Sequence, residues 1–321
     1  MPRVFVARAI PEVGLILLRP HAELDVWPER LPPPRPELLA RVRGADALLS
    51  LLTDRIDAEV MDAAGPGLKV ISNYAVGLDN VDLAEAARRG IPVGHTPGVL
   101  TESTADLTFA LLLAAARRLP EGERAVKSGD WLTWEPTWLL GRDVAGATLG
   151  IVGYGRIGRA VARRARGFRM RVLACGRGTI ADAEGAEPVT FDELLARADV
   201  VSLHAPLTDA TRFLIDGDAL QRMKRGAILI NTARGGLVDQ EALRRALESG
   251  HLAAAALDVT EPEPLPPDHP LLQVPTCLVV PHLGSATIET RNRMAEIAAR
   301  NVLAGLRDEP LVAPAPGMSS R

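Results

Sequence analysis

Residues 150–178 read GIVGYGRIGRAVARRARGFRMRVLACGRG. Three glycines, Gly153, Gly155 and Gly158, stand at G-x-G-x-x-G spacing between an apolar run (ATLGIV) and a helix-like stretch. Each glycine has its own work in such a turn. The first permits a tight turn after a strand, and the second lets backbone approach a pyrophosphate. The third lets the helix pack on the sheet, with its N-terminus turned to the phosphates. The stretch predicts a strand–turn–helix that binds a dinucleotide, followed by a second strand at 171–175. Such units usually place an acid about 20 residues on, to hold the adenosine ribose. Here that place reads Cys175-Gly176-Arg177. Gly176 leaves room for a 2′-phosphate and Arg177 offers it a planar cationic fork, which predicts NADP(H) in preference to NAD(H), with NAD(H) as the alternative.

Outward from this unit, short apolar runs alternate with amphipathic stretches. Strands are expected at 148–152, 171–175, 200–204, 227–231, 253–257 and 277–280, and helices at 156–166, 191–197 and 240–248. Six strands with helical crossovers, apolar along their length, predict a doubly wound parallel sheet covered on both faces. The first hundred residues repeat the alternation on a smaller scale. Strands are expected at 3–7, 24–26, 47–49 and 69–72, with helices at 36–43, 58–63 and 83–89. The fold class is therefore α/β, with two Rossmann-like domains. An apolar helix over 102–119, capped by Thr101 or Ser103, joins them, and a tail helix over 289–306 crosses back to the first. That makes the first domain discontinuous, 1–99 plus 288–321, around a dinucleotide-binding domain over 100–287. Residues 131–140, WLTWEPTWLL, hold three of the four tryptophans, inside a segment (about 119–146) that suits either association between subunits or local core packing.

At 321 residues and net charge −3, the chain has length for two cores and no charge excess that would attract nucleic acid or an acidic membrane. Its longest apolar run, 107–116, falls short of a membrane span, and a cytoplasmic protein is expected. Cys175 and Cys277 lie in apolar runs and are expected as reduced thiols. Arg163, Arg164 and Arg166 are expected on a solvated helix face. The proline-rich stretches 31–36 and 262–270 read as rigid loops. His21, His95, His251 and His269 show no paired ligand spacing, so no metal site is expected.

Open parallel sheets place their sites beyond the carboxyl ends of the strands. Arg234 follows the strand at 227–231, Glu263 the strand at 253–257 and His282 the strand at 277–280. With NYAVGLDNVD (73–82), TPGVLTESTADLTFALLLAAARR (96–118), HAPLTDAT (204–211), NTARGGLVD (231–239), ALDVTEPEP (256–264) and PHLGSAT (281–287), the chain resembles the D-isomer-specific 2-hydroxyacid dehydrogenases across most of residues 45–305. Within that family it is most similar to the glyoxylate/hydroxypyruvate reductases, through the pair at 176–177 and the WLTWEPTWLLG segment.

The resemblance implies a catalytic set of Arg234, Glu263 and His282. Arg234 grips the substrate carboxylate and polarises the ketone, with the Val76 and Gly77 amides on the carboxylate's other side. His282 gives a proton to the forming alkoxide, and Glu263 holds the far ring nitrogen. Glu263 is chosen over Glu261 because the family's carboxylate stands five residues past Asp258, directly before a proline. His204 is read as a cofactor-loop residue. Thr104, Arg156, Ile157, Pro206, Thr211, Thr232, Asp258 and Gly284 match cofactor positions, and Leu52 and Ser285 match substrate-pocket positions. Trp138 matches a residue that reaches the active site from the partner subunit of a homodimer. One cationic clamp without a second for a phosphate favours glyoxylate or hydroxypyruvate. A broader D-2-hydroxyacid dehydrogenase, of the D-lactate or short-form phosphoglycerate type, and a nucleotide-sensing corepressor or scaffold are the competing readings.

Overall fold

A computed structural model describes residues 1–176, 178, 180 and 183–318. The chain divides into two compact units, Met1–Leu100 with Thr287–Arg321, and Thr101–Ala286.

The first unit is a five-stranded parallel sheet. Its strands are β1 (Arg3–Val6), β2 (Glu23–Val26), β3 (Ala47–Ser50), β4 (Val70–Asn73) and β5 (Val93–Gly94), in the order β2-β1-β3-β4-β5. Helices α1 (Glu12–Leu18), α2 (Arg35–Val42), α3 (Ala58–Ala64) and α4 (Leu83–Arg88) make the crossovers. β3 and β4 are buried along their whole length, as strands covered on both faces must be. One face packs Leu38, Val42, Val60 and Met61 of α2 and α3 against Phe5, Leu48 and Ile71. The other packs Leu15 and Leu18 of α1 and Ala295, Ala298 and Val302 of the C-terminal helix (Ile288–Leu306) against Val4, Val6, Leu49 and Val70. Asp57 and Asp82 cap α3 and α4, each accepting from a backbone N–H of the first turn.

The second unit opens with α5 (Thr101–Ala116) and α6 (Leu119–Ser128). The helix expected over 102–119 thus ends at Ala116 and takes in Thr101 and Ser103, the residues expected to cap it. The chain breaks at Arg118, in left-handed backbone at φ 55°, and Pro120 starts the next helix. There follow β6 (Thr148–Val152), α7 (Arg156–Gly167), β7 (Arg171–Cys175), β8 (Glu187–Pro188), α8 (Phe191–Arg197), β9 (Val200–Leu203), α9 (Gly217–Arg222), β10 (Ile228–Asn231), α10 (Gln240–Glu248), β11 (Ala254–Leu257) and β12 (Cys277–Val279). They form a seven-stranded parallel sheet of order β12-β11-β10-β9-β6-β7-β8. The chain reverses direction across the sheet between β6 and β9, where a doubly wound fold opens its crevice.

Both sheets have the expected parallel α/β character. α1, α6, α9, β5 and β8 are additions that the sequence pattern did not reveal. Arg163 and Arg164 do not form a purely solvated face. Arg163 pairs with Glu102 at 2.9 Å and Arg164 with Asp106 at 2.7 Å, tying α7 to α5. Among the described residues, no helix is long and apolar enough to cross a membrane.

Candidate active site

The strand register of the second sheet sets the site. Asn231 pairs with both Leu203 and Leu257, Leu257 with Val279, and Leu203 with Val152. These strands therefore end level with one another, and the residues just beyond them emerge on one edge.

Beyond β6, Gly153 turns at φ 95°, and a Cβ there would lie 2.5 Å from the Ala205 amide nitrogen. Any side chain would push apart the two loops that follow β6 and β9. At Gly158 a Cβ would lie 2.4 Å from the Gly153 carbonyl, so only glycine lets α7 start so close to the turn. Gly155 caps α7 and faces open space. Bare backbone, open space and a twelve-residue helix aimed at it suit a pyrophosphate. Arg156 and Ile157 form the first turn of that helix. Past β7, a Cβ on Gly176 would meet only the Tyr154 amide, at 3.7 Å. Arg177 lies outside the described residues.

His204 follows β9. Its Nε2 lies 2.9 Å from Ser202 Oγ, and its Nδ1 is sealed from solvent without a partner among the described residues. Burial pushes its pKa down to about 4, so the ring is neutral at pH 7. Downstream, Thr211 Oγ1 donates to the Pro206 carbonyl at 2.7 Å and accepts from the Thr208 amide at 2.8 Å, closing the 206–211 turn.

Past β10, Asn231 folds the chain over itself. Its Oδ1 accepts from the Ala233 amide and its Nδ2 donates to the Arg234 carbonyl, at 3.0 and 2.8 Å. This places Arg234 directly before a short 3-10 turn, where its guanidinium donates to the Ala233 carbonyl at 2.8 Å. Thr232 is buried, with its hydroxyl 3.1 Å from Thr108 Oγ1 of α5.

Past β11, Asp258 is 1 % exposed and accepts from the Leu283 and Gly284 amides at 2.5 and 2.8 Å. Burial pushes its carboxyl up, against those two amides and the neighbouring His282, which pull it down. Thr104 of α5 donates to the Gly284 carbonyl at 3.1 Å. The 282–284 loop is thus held by one buried carboxylate and one buried hydroxyl. The His282 amide donates to the Asp258 carbonyl at 3.0 Å, and its backbone sits at φ 53°. In the side chain, His282 Nδ1 lies 2.6 Å from Glu263 Oε1. A carboxylate can only accept, so Nδ1 carries the hydrogen and Nε2 is the nitrogen left to exchange a proton.

Glu263, rather than Glu261, meets the imidazole. Glu261 pairs instead with Arg212 at 2.6 Å and is half-buried. Both glutamates precede cis prolines, Pro262 and Pro264. Ser285 is buried beside this loop, and Trp138 is half-exposed. Leu52, Val76 and Gly77 belong to the other unit, in loops past β3 and β4, all half-exposed. Sequence reasoning passed over Asn73, Asn80 and His95, which hold those loops. Among the described residues, no three His, Cys, Asp or Glu side chains gather as a metal site. Cys175 and Cys277 are free thiols, and burial pushes Cys277 up to about 12.

A glycine turn opening a helix, on a doubly wound parallel sheet with a paired imidazole and carboxylate at the same edge, defines a dinucleotide-binding protein of Rossmann type. The chain belongs to the D-isomer specific 2-hydroxyacid dehydrogenases: residues 109–284 match that family's NAD binding domain. It is 54% identical over 312 residues to the glyoxylate reductase of Korarchaeum cryptofilum, covering 96% of this chain and 94% of that one. A solved structure of a Thermus thermophilus protein is 54% identical, with a TM-score of 0.93 over 97% of this chain and 99% of that one. The NADPH-dependent glyoxylate/hydroxypyruvate reductase of Sinorhizobium meliloti, solved with NADP and malonate, is 31% identical, with a TM-score of 0.87 over 100% of this chain and 98% of that one.

Proposed function

We propose that the protein reduces small 2-oxo acids, glyoxylate to glycolate and hydroxypyruvate to D-glycerate, with NADPH preferred over NADH. The observation that carries the reading is the 2.6 Å contact between His282 Nδ1 and Glu263, level with Arg234 on the edge where the glycine turn opens. The nicotinamide, when bound, supplies the hydride to C2 of the substrate. Arg234 holds the substrate carboxylate and draws electron density toward the ketone oxygen. His282 gives its Nε2 proton to that oxygen as negative charge builds there, and Glu263 stabilises the ring while it is positive. In the reverse direction the same nitrogen takes the proton back. The amides of Val76 and Gly77 bind the carboxylate's second face, and Leu52 and Ser285 limit the size of the group on C2. The glycine turn, the start of α7, Pro206 and Thr211 hold the dinucleotide's phosphates and ribose, with Thr104, Thr232, Asp258 and Gly284 shaping the nicotinamide end.

The NADPH preference rests on Gly176, where an acid is missing, and on Arg177. The Sinorhizobium meliloti reductase is named NADPH-dependent and was solved with NADP, which supports it. Initial rates with glyoxylate, hydroxypyruvate and pyruvate against both nucleotides test the whole reading. Rapid NADPH oxidation with the first two is expected, and no turnover with any of them would refute it. Gly176→Asp can be made without strain, since its Cβ meets nothing nearer than 3.7 Å. The new carboxylate repels a 2′-phosphate and accepts from a 2′-hydroxyl. The ratio of kcat/KM for NADPH to that for NADH should fall at least about tenfold, a shift of about 1.4 kcal/mol. An unchanged ratio would remove this account of the cofactor preference.

We also propose a homodimer. Trp131, Leu132 and Trp134 are 60%, 87% and 80% exposed, with Leu119 and Val126 of α6 also bare. A second copy covers this surface, and Trp138 enters the neighbouring subunit's pocket.

A further inference from the structure

We propose that His95 is a positioning residue that aims the carboxylate-binding amide of Gly77 in the first unit. The inference rests on the reading of Val76 and Gly77 given above. In a trans peptide the carbonyl of one residue and the amide of the next point in opposite directions. Whatever grips the carbonyl therefore fixes where the amide points.

Two buried side chains grip consecutive carbonyls of this turn. His95, at the end of β5 and 7% exposed, places Nδ1 3.0 Å from the Val76 carbonyl. That oxygen can only accept, so Nδ1 donates, and the Gly77 amide across the same peptide is turned the other way. Asn73, the last residue of β4 and fully buried, donates from Nδ2 to the Gly77 carbonyl at 3.0 Å, which fixes the next peptide and holds the far end of the turn. Among the described residues, neither the Val76 nor the Gly77 amide donates to a protein acceptor.

Both side chains are themselves fixed. Asn73 Oδ1 accepts from Ser50 Oγ at 3.0 Å and from Asn80 Nδ2 at 3.2 Å, and Asn80 Oδ1 accepts from Asn73 Nδ2 at 3.0 Å. Asn80 Nδ2 also donates to the Leu51 and Asp54 carbonyls, each at 2.9 Å, which ties the loop carrying Leu52 into the same network. His95 is held through its backbone. Its amide donates to the Ala313 carbonyl at 3.0 Å, and its carbonyl accepts from Asn301 of the C-terminal helix at 3.1 Å. Buried and half-buried polar groups on two sides thus direct their hydrogen bonds to one half-exposed turn. That arrangement suits a fixed anion site better than a loop that only needs to close.

The test is steady-state kinetics on three His95 variants, with thermal melts to check folding. His95→Leu removes the donor. KM for glyoxylate should rise about tenfold, the loss expected for one misdirected hydrogen bond to a charged group. KM for NADPH should stay within about twofold, since the nucleotide binds the other unit. His95→Asn returns an N–H donor to the place of Nδ1 and should recover most of the loss. His95→Gln, whose donor sits one carbon farther out, should resemble His95→Leu and serves if that variant does not fold. A His95→Leu or His95→Gln enzyme with normal KM, alongside an Arg234→Ala enzyme with raised KM, would overturn the role of His95 and leave the proposed activity intact. A His95→Asn enzyme as impaired as His95→Leu would also overturn it. Absence of turnover in the unmutated protein would overturn both readings.

Discussion

His282 and Glu263 show how one contact divides labour between two residues. The carboxylate takes Nδ1, so the ring has a fixed tautomer, a fixed orientation and one nitrogen free for chemistry. Glu263→Gln keeps the shape of the side chain and removes the charge. The positive ring is then less stabilised, and the amide can present its NH2 group to Nδ1, which favours the tautomer with its hydrogen on Nε2. We expect kcat with glyoxylate to fall about 10²-fold or more, the scale of general acid catalysis, with KM little changed. Equal losses in kcat and in nucleotide affinity would instead point to a displaced loop. The three proposed catalytic residues could be read from sequence because each stands in a short motif just past a strand. Asn73, Asn80 and His95 could not. They come from two strand ends and a loop, at no repeating interval, and only the fold brings them to one turn.

At the scale of elements, the second sheet was the more readable. Most of its strands are largely apolar runs four or five residues long, and the helices between them carry clear apolar faces. β5 and β8 have two residues each, too few to show a period. α1 begins after Pro11 with no side-chain cap, so its start carried no marker. The end of β9 has a property that reaches stability. His204 has a folded pKa of about 4 against an ordinary 6.5. The unfolded chain therefore takes up this proton first. Stability from this group is complete above pH about 6.5 and is lost as pH falls toward 4, by about 1.4 kcal/mol per unit. Melts at pH 7 and pH 5 should show a larger drop for the unmutated protein than for His204→Gln, which cannot titrate. Equal drops would mean that the ring is already solvated in the folded state.

Over the whole molecule, the bare surface around Trp131 and Trp134 contrasts with two well-filled cores. Light scattering during gel filtration should give twice the chain mass, and Trp131→Ser with Trp134→Ser should lower it toward one. Trp138→Ala should keep the dimer and lower activity on 2-oxo acids. A monomer with full activity would refute the shared pocket. This scale was the hardest to read from sequence, because a run of tryptophans looks the same whether it lines a core or a surface.

The C-terminal helix also has a consequence for how the chain is made. β3 and β4 leave the ribosome early, yet Ala295, Ala298 and Val302 that pack on one of their faces are translated after the whole of the second unit. The second unit can finish folding while the first still lacks the cover over Leu49 and Val70. During synthesis, the half of the protein that begins first is completed last, and in that interval its sheet keeps an apolar face uncovered.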